Sequence, residues 1–282
     1  MHGSKVRSPT VGGLLMALWL SAAAIAEPEY PPVAAGVSFD AVLALPYSEE
    51  AALLRYGEHP AQLISLTLPE QAAGPAPVVV LVHGGCWLNA FNAGHTRAMA
   101  TALSQAGFAV WSVEYRRLGD EGGGWPGSLD DITAALALLA ERSGAALDLT
   151  RVAVVGHSAG GHLALLAAAD PPDGLGLRAV VGLAPITDIA HYAGGENSCN
   201  RAAAQFIDGL SAAELALANP ALSPAPPGTV LFYGTQDRIV PFEVPYLKPE
   251  LLVTLPAGHF DWIHPGTPAF ERLRSELARV LQ

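Results

Sequence analysis

The chain has 282 residues, 51% hydrophobic and 15% charged, which excludes extensive disorder and suffices for one large core. Acidic residues outnumber basic ones 26 to 15 and no basic patch is visible, so a nucleic-acid partner is not expected.

In chain order, the first element is residues 1–26. Lys5 and Arg7 precede the apolar run Val11–Ala24, and Ala24-Ile25-Ala26 is a small-x-small site before Glu27. This pattern predicts a secretory signal peptide over 1–26 and a secreted or periplasmic protein. The run falls short of the roughly 20 residues a bilayer span needs, and no cysteine follows it for lipid attachment, so no stable membrane anchor is expected. Residues 27–282 then read as one domain. Glu27–Ala35 is proline-rich and predicts a loose arm. Gln62–Leu68 alternates and stops at Pro69, an early strand. Val78–Val82 is a continuous apolar strand that empties into His83-Gly84-Gly85-Cys86-Trp87. Arg97–Ala106 reads as a helix ended by Gly107, and Phe108–Val113 as the next strand. Trp125–Ser128 reads as a loop, with Ser128 and Asp131 as a capping box for a helix carrying Leu129, Ile132, Leu136 and Leu139 on one face.

Arg151–Val155 is a strand and Gly160–Ala169 a nearly all-apolar helix; Ala179–Leu183, Thr229–Tyr233 and Leu251–Leu255 are further strands. Thr267 caps a last helix with Pro268 at its first position and Phe270, Leu273, Leu277 and Val280 along its face. Strands apolar throughout, alternating with helices, predict an α/β fold with a mostly parallel central sheet covered by helices on both faces. Residues 186–227 break the rhythm with Gly194, Gly195, Asn197, Asn200 and a short helix near Ala212–Ala218, which predicts a small lid insertion over the carboxyl edge of the sheet.

The chemistry-bearing motif is Gly156-His157-Ser158-Ala159-Gly160, a G-x-S-x-G between a buried strand and an apolar helix. A serine on such a sharp strand-to-helix turn needs small neighbours, and the turn lifts its hydroxyl off the sheet. Ser158 is therefore the candidate nucleophile. It needs a base, and the base a carboxylate, both expected later in the chain with the acid first. Asp237 follows the strand ending at Gly234, and His259 follows the strand ending at Leu255. Asp261 and Asp188 are rival acids, and His264 is the rival base. Acyl transfer through Ser158 requires N–H donors for an oxyanion; Ala159 supplies one, and Gly84, Gly85 and Cys86 the others, with Gly85 partnered by either Gly84 or Cys86. His83 is expected to brace this loop, His157 to pack, His162 to pack or hydrogen-bond, and Trp87 either to plug the core under the loop or to wall the acyl pocket. Cys86 and Cys199 read either as two unpaired thiols or as a bridge pinning lid to loop, the latter needing Cβ atoms about 4 Å apart.

Jointly, His83-Gly84-Gly85-Cys86-Trp87, Glu114-Tyr115-Arg116, Gly156-His157-Ser158-Ala159-Gly160-Gly161, Asp237 with Val240-Pro241, and Gly258-His259 resemble the α/β-hydrolase superfamily. More narrowly they resemble its esterase/lipase branch, near the kynurenine formamidase-like and hormone-sensitive-lipase-like enzymes, from about Tyr56 to Val280. The resemblance implies nucleophile Ser158, base His259 and acid Asp237, with no cofactor and no assigned metal ligands. The lipase-like branch commonly has a third glycine where Cys86 stands and an acidic residue where His157 stands. The formamidase-like pattern has H-G-G-aromatic-W, which Trp87 fits and Cys86 does not.

The expected function is that of a serine carboxylic ester hydrolase acting through an acyl-enzyme on short-chain or aromatic esters, its partner a small-molecule ester. Arylformamide hydrolysis is the alternative, set second because tryptophan breakdown is expected inside cells and this chain carries an export pattern. A peptidase fits less well, since the length leaves no room for a second domain. A non-catalytic binding protein would show a damaged triad.

Overall fold

Period-two alternation inside the apolar strands divides the core into two layers. The computed structural model describes residues 27–70, 74–142, 146–243 and 245–282; the expected signal peptide lies outside the described residues. The chain runs through α1 (Phe39–Leu43), β1 (Ala52–Arg55), β2 (Leu63–Thr67), β3 (Ala76–Val82), α2 (Arg97–Gln105), β4 (Ala109–Glu114), α3 (Gly127–Ala140), β5 (Leu147–His157), α4 (Ala159–Ala167) and β6 (Leu177–Leu183). It continues through α5 (Ile189–Tyr192), α6 (Ser198–Phe206) and α7 (Ala212–Ala218), then β7 (Thr229–Gly234), β8 (Leu251–Leu255) and α8 (Pro268–Val280). On β3, Val78, Val80 and Val82 join the core with Ile132, Leu136 and Leu139 of α3 and Leu163 of α4. Val79 and Leu81 turn the other way, to Met99 and Leu103 of α2 and Phe270, Leu273 and Leu277 of α8. Residues two apart on a strand share a face, so one apolar run fills both layers.

The strands form a single eight-stranded sheet in the order β1-β2-β4-β3-β5-β6-β7-β8. β2 is antiparallel to β1 and β4, and all other pairings are parallel. The ends of β3, β5, β7 and β8 therefore open onto one edge of the sheet, where ligands of open α/β sheets are received.

Two expectations change. Ser128 and Asp131 do not form a capping box. α3 begins at Gly127 behind Pro126 with no side-chain cap, so both residues lie inside the helix. The Ser128 hydroxyl instead donates to Arg116 O at 2.6 Å, and Asp131 is held by the Arg116 guanidinium at 2.7 Å. A buried tertiary partner outcompetes the local cap for both side chains. The strand expected at Arg151–Val155 is longer, reaching from Leu147 to His157. The proline-rich arm has no regular structure but is fastened at its end: Val33 N–H donates to Gly266 O at 2.8 Å. β1, α1, α5 and α6 had no counterpart in the sequence reading.

Candidate active site

Backbone crowding dictates the turn between β5 and α4. Ser158 holds φ 55° and ψ −120°, a left-handed conformation strained for a residue with a Cβ. A Cβ on Gly160 would collide with the carbonyls of His83 and Val82, so glycine here lets α4 start directly against the end of β3. The same approach brings Gly84 to the Ser158 turn: a Cβ there would lie 2.9 Å from His157 O and 3.1 Å from Ser158 Cβ. Gly85, Cys86 and Trp87 follow with φ of 113°, 54° and 57°. The H-G-G-C-W segment and the G-x-S-x-G turn are thus one packed unit.

The loop after β3 is braced from behind. His83 Nδ1–H donates to Gly84 O at 2.7 Å, and its Nε2 lies 3.2 Å from Glu114 Oε1. Tyr115 OH donates to His83 O at 2.9 Å, and Ala93 N–H to Glu114 Oε2 at 2.8 Å. Burial alone would raise the Glu114 pKa, but His83, Arg117 and the Ala93 N–H outweigh it and hold the carboxyl below its ordinary value. Trp87 is fully buried, its ring 5.2 Å from Phe206 and 5.3 Å from His162, and serves as the expected core plug.

Asp237 and His259 meet. Asp237 Oδ2 accepts from His259 Nδ1 at 2.7 Å, while Oδ1 accepts the N–H groups of Ile239 and Val240 at 2.8 and 2.9 Å. The Asp237 side chain is fixed by its own loop before it meets the imidazole. Because the carboxylate accepts from Nδ1–H, Nε2 is left as the basic nitrogen.

The rivals are occupied elsewhere. Asp261 accepts from Gly36, Val37 and Gly258 N–H groups at 2.7–2.9 Å. Asp188 caps α5 through His191 N–H and takes Asn219 Nδ2 at 2.8 Å. His264 Nδ1 accepts from Gly266 N–H at 3.1 Å.

His157 and His162 are buried as expected, and both are also hydrogen-bonded. His162 Nε2–H donates to Ala218 O at 2.7 Å, tying α4 to the end of α7. The His157 partner could not be read from the sequence: its Nε2–H donates to the backbone carbonyl of His259 at 3.0 Å. The two rings lie 4.6 Å apart. Burial, and then the neighbouring His259, drive the His157 pKa well below its ordinary value, so it stays neutral beside the His259 ring. It links the Ser158 turn to the loop bearing His259, contact that only a view across 102 residues of chain reveals.

The segment 186–227 carries α5, α6 and α7, and Cys199 at the start of α6 is joined to Cys86 by a disulfide. The two cysteines are therefore a bridge and not unpaired thiols. A cavity of about 520 Å³ lies between this segment and the loop after β7, with Ile186, Tyr192, Asn197, Tyr233, Val240 and Tyr246 in its wall.

A mostly parallel sheet with a serine on a strand–helix turn, and an aspartate–histidine pair on later loops of the same edge, defines an α/β-hydrolase. The chain belongs to the BD-FAE family, whose model matches residues 64–247. It is 34% identical over 116 residues to esterase LipC of Mycobacterium tuberculosis, covering 40% of this chain and 28% of that protein. It is 30% identical over 113 residues to a probable isoprenylcysteine alpha-carbonyl methylesterase, ICMEL1, of Arabidopsis thaliana, covering 39% and 22%. The matches thus span less than a third of these relatives' length. Among solved structures, inhibited esterase B from Lactobacillus rhamnosis superposes with TM-score 0.70 at 22% identity, covering 86% of this chain and 90% of that one. Thermogutta terrifontis esterase 2, phosphonylated by sarin, superposes with TM-score 0.64 at 18% identity, covering 81% and 92%.

Proposed function

We propose that the protein is a serine carboxylic ester hydrolase working through Ser158, His259 and Asp237. The observation that carries this reading is the Asp237–His259 hydrogen bond of 2.7 Å on the sheet edge where Ser158 occupies its left-handed turn. His259 Nε2 takes the Ser158 proton as Oγ attacks the ester carbonyl carbon. The resulting oxyanion is received by the N–H of Ala159 and those of the loop from Gly84 to Cys86. His259 then returns the proton to the departing alkoxide, leaving an acyl-enzyme. A water, deprotonated by His259, releases the acid. Asp237 keeps the proton on Nδ1 throughout and stabilises the imidazolium. The named esterases among the relatives support ester hydrolysis.

The preferred substrates are short-chain or aromatic esters. Three tyrosines, Tyr192, Tyr233 and Tyr246, stand in the wall of the cavity beside the Asp237 loop, which supports a compact or aromatic acyl group. Tyr192 OH and Asn197 Nδ2 both donate to Ile239 O, so part of that wall is already hydrogen-bonded. The protein is exported, a reading supported by the 1–26 pattern and by a disulfide, which persists in oxidising compartments.

The deciding experiment is p-nitrophenyl acetate turnover by wild type and Ser158→Ala. The variant is expected to fold and to lose at least about 10³-fold in kcat; full activity in the variant refutes the proposal. A fluorophosphonate probe should label Ser158, as sarin phosphonylates the Thermogutta esterase. N-formylaryl amides assayed beside esters separate this reading from arylformamide hydrolysis, whose pattern Trp87 fits and Cys86 does not. An acyl-chain series extended to emulsified triglycerides tests the preference for short and aromatic acyl groups.

A further inference from the structure

Three successive residues after Gly84 have positive φ, and two of them, Cys86 and Trp87, carry side chains. Side-chain-bearing residues resist this conformation, so the loop needs outside support to hold it. Some comes from the sheet side, where Leu118 N–H donates to Trp87 O at 2.8 Å. More comes from the Trp87 ring against His162 of α4, and more again from a single helix of the insertion. Cys199, in the first turn of α6, is bonded to Cys86 with the Cα atoms 5.0 Å apart, and Phe206, in the last turn of α6, packs on Trp87. α6 is itself anchored: Asn197 and Asn200 form a capping box, and Asn197 Nδ2 reaches Ile239 O at 3.1 Å, two residues past Asp237. One short helix therefore grips the candidate oxyanion loop at two adjacent residues and touches the loop of the candidate acid.

We propose that Cys199 is a positioning residue: its bond to Cys86 holds the N–H groups of Gly85 and Cys86 in the direction the oxyanion requires, and keeps α6 seated on the loop. This rests on the ester-hydrolase reading above. Oxyanion donors act on charge that develops only in the transition state, so loosening them lowers kcat and leaves ground-state binding nearly unchanged. A bridge serving mainly to shape the substrate cavity would instead raise KM. Reduction by dithiothreitol breaks the S–S bond, turns both sulfurs into thiols, and leaves the reagent as its cyclic disulfide.

The experiment uses the purified oxidised protein before and after dithiothreitol, with thiol titration, circular dichroism and p-nitrophenyl acetate kinetics, alongside Cys199→Ser. The expected result is two new thiols, a retained fold, kcat lowered tenfold to a hundredfold with KM within twofold, and recovery on reoxidation. Cys199→Ser should match the reduced wild type and not respond to dithiothreitol. Unchanged kcat in folded, fully reduced protein overturns the proposal, as does a rise in KM at constant kcat. Unfolding of the reduced protein and of a Cys199→Ala variant alike also overturns it, assigning the bridge to stability. Fluorophosphonate labelling of the oxidised protein separates the two readings: labelling with unchanged kcat on reduction refutes the positioning role alone. Absence of both labelling and ester turnover refutes the hydrolase and the positioning role with it.

Discussion

Asp237 lies 22 residues before His259 and Asp261 two residues after it, and their hydrogen bonds divide the work between them. Asp237 spends one oxygen on two amides of its own loop and turns the other to the imidazole. Asp261 spends both oxygens on the N–H groups of Gly36, Val37 and Gly258, clasping the N-terminal arm to the loop before His259. Asparagine at each position should therefore have opposite consequences. Asp237→Asn keeps an amide acceptor but loses the carboxylate that fixes the His259 tautomer, so kcat should fall by roughly 10⁴ with little change in stability. Asp261→Asn places an NH₂ against backbone donors and should destabilise by about 1–3 kcal/mol, with kcat within tenfold of wild type. Urea unfolding and ester turnover on both variants test this; the reverse pattern would make Asp261 the functional acid.

At the scale of elements, the site depends on how closely α4 approaches the end of β3. That approach is possible because Gly160 presents only hydrogen to the carbonyls of His83 and Val82. Gly160→Ala forces the β5–α4 turn away from the loop after β3, and no flexible side chain is available to yield, since the obstacles are backbone atoms. The expected loss is about 1–3 kcal/mol or more of stability, together with a drop in kcat as Ser158 and the Gly84–Cys86 loop separate. Chemical denaturation and kinetics on the alanine variant measure both; an unaltered midpoint would mean that α4 can shift without consequence. In α8 the elements behave as their local signals dictate. Thr267 accepts from Phe270 N–H at 3.2 Å, with Pro268 in the first turn.

At the scale of the whole molecule, His95, His157 and His162 are buried among the described residues and held neutral. Burial, above all, lowers His95 to about 3 and His162 to about 4, and pushes His157 well below its ordinary value. In the unfolded chain each takes up a proton near pH 6.5, while the folded protein does not until its own lower value is reached. Stability from these groups is therefore complete above pH 6.5 and is lost as pH falls from there toward about 3, the value for His95. Each histidine contributes a slope of up to about 1.4 kcal/mol per pH unit in that window. Urea titrations between pH 7.5 and 5 should show a steep decline, and His162→Gln should reduce the slope by one proton's share. A midpoint constant over that range would contradict neutral burial of the three rings.

The sequence alone determined the α/β class, the apolar strands, the Ser158 turn, and the chain order in which Asp237 and His259 follow it. These are local signals: periodicity, glycine spacing and strand-to-loop boundaries act over a few residues and read the same wherever the chain later travels. β1 was missed because four residues of an edge strand are too short for alternation to register, and α6 because its apolar face is narrow and its cap is built from two asparagines. Only the tertiary structure decided which carboxylate meets His259, that Ser128 and Asp131 leave their helix end for Arg116, and that Cys86 and Cys199 are bonded across 113 residues. Each of those outcomes is a choice between partners of equal chemical merit. The choice falls to whichever group the folded chain brings within hydrogen-bonding or bonding distance, a property of the path of the backbone through space and not of any short stretch along it.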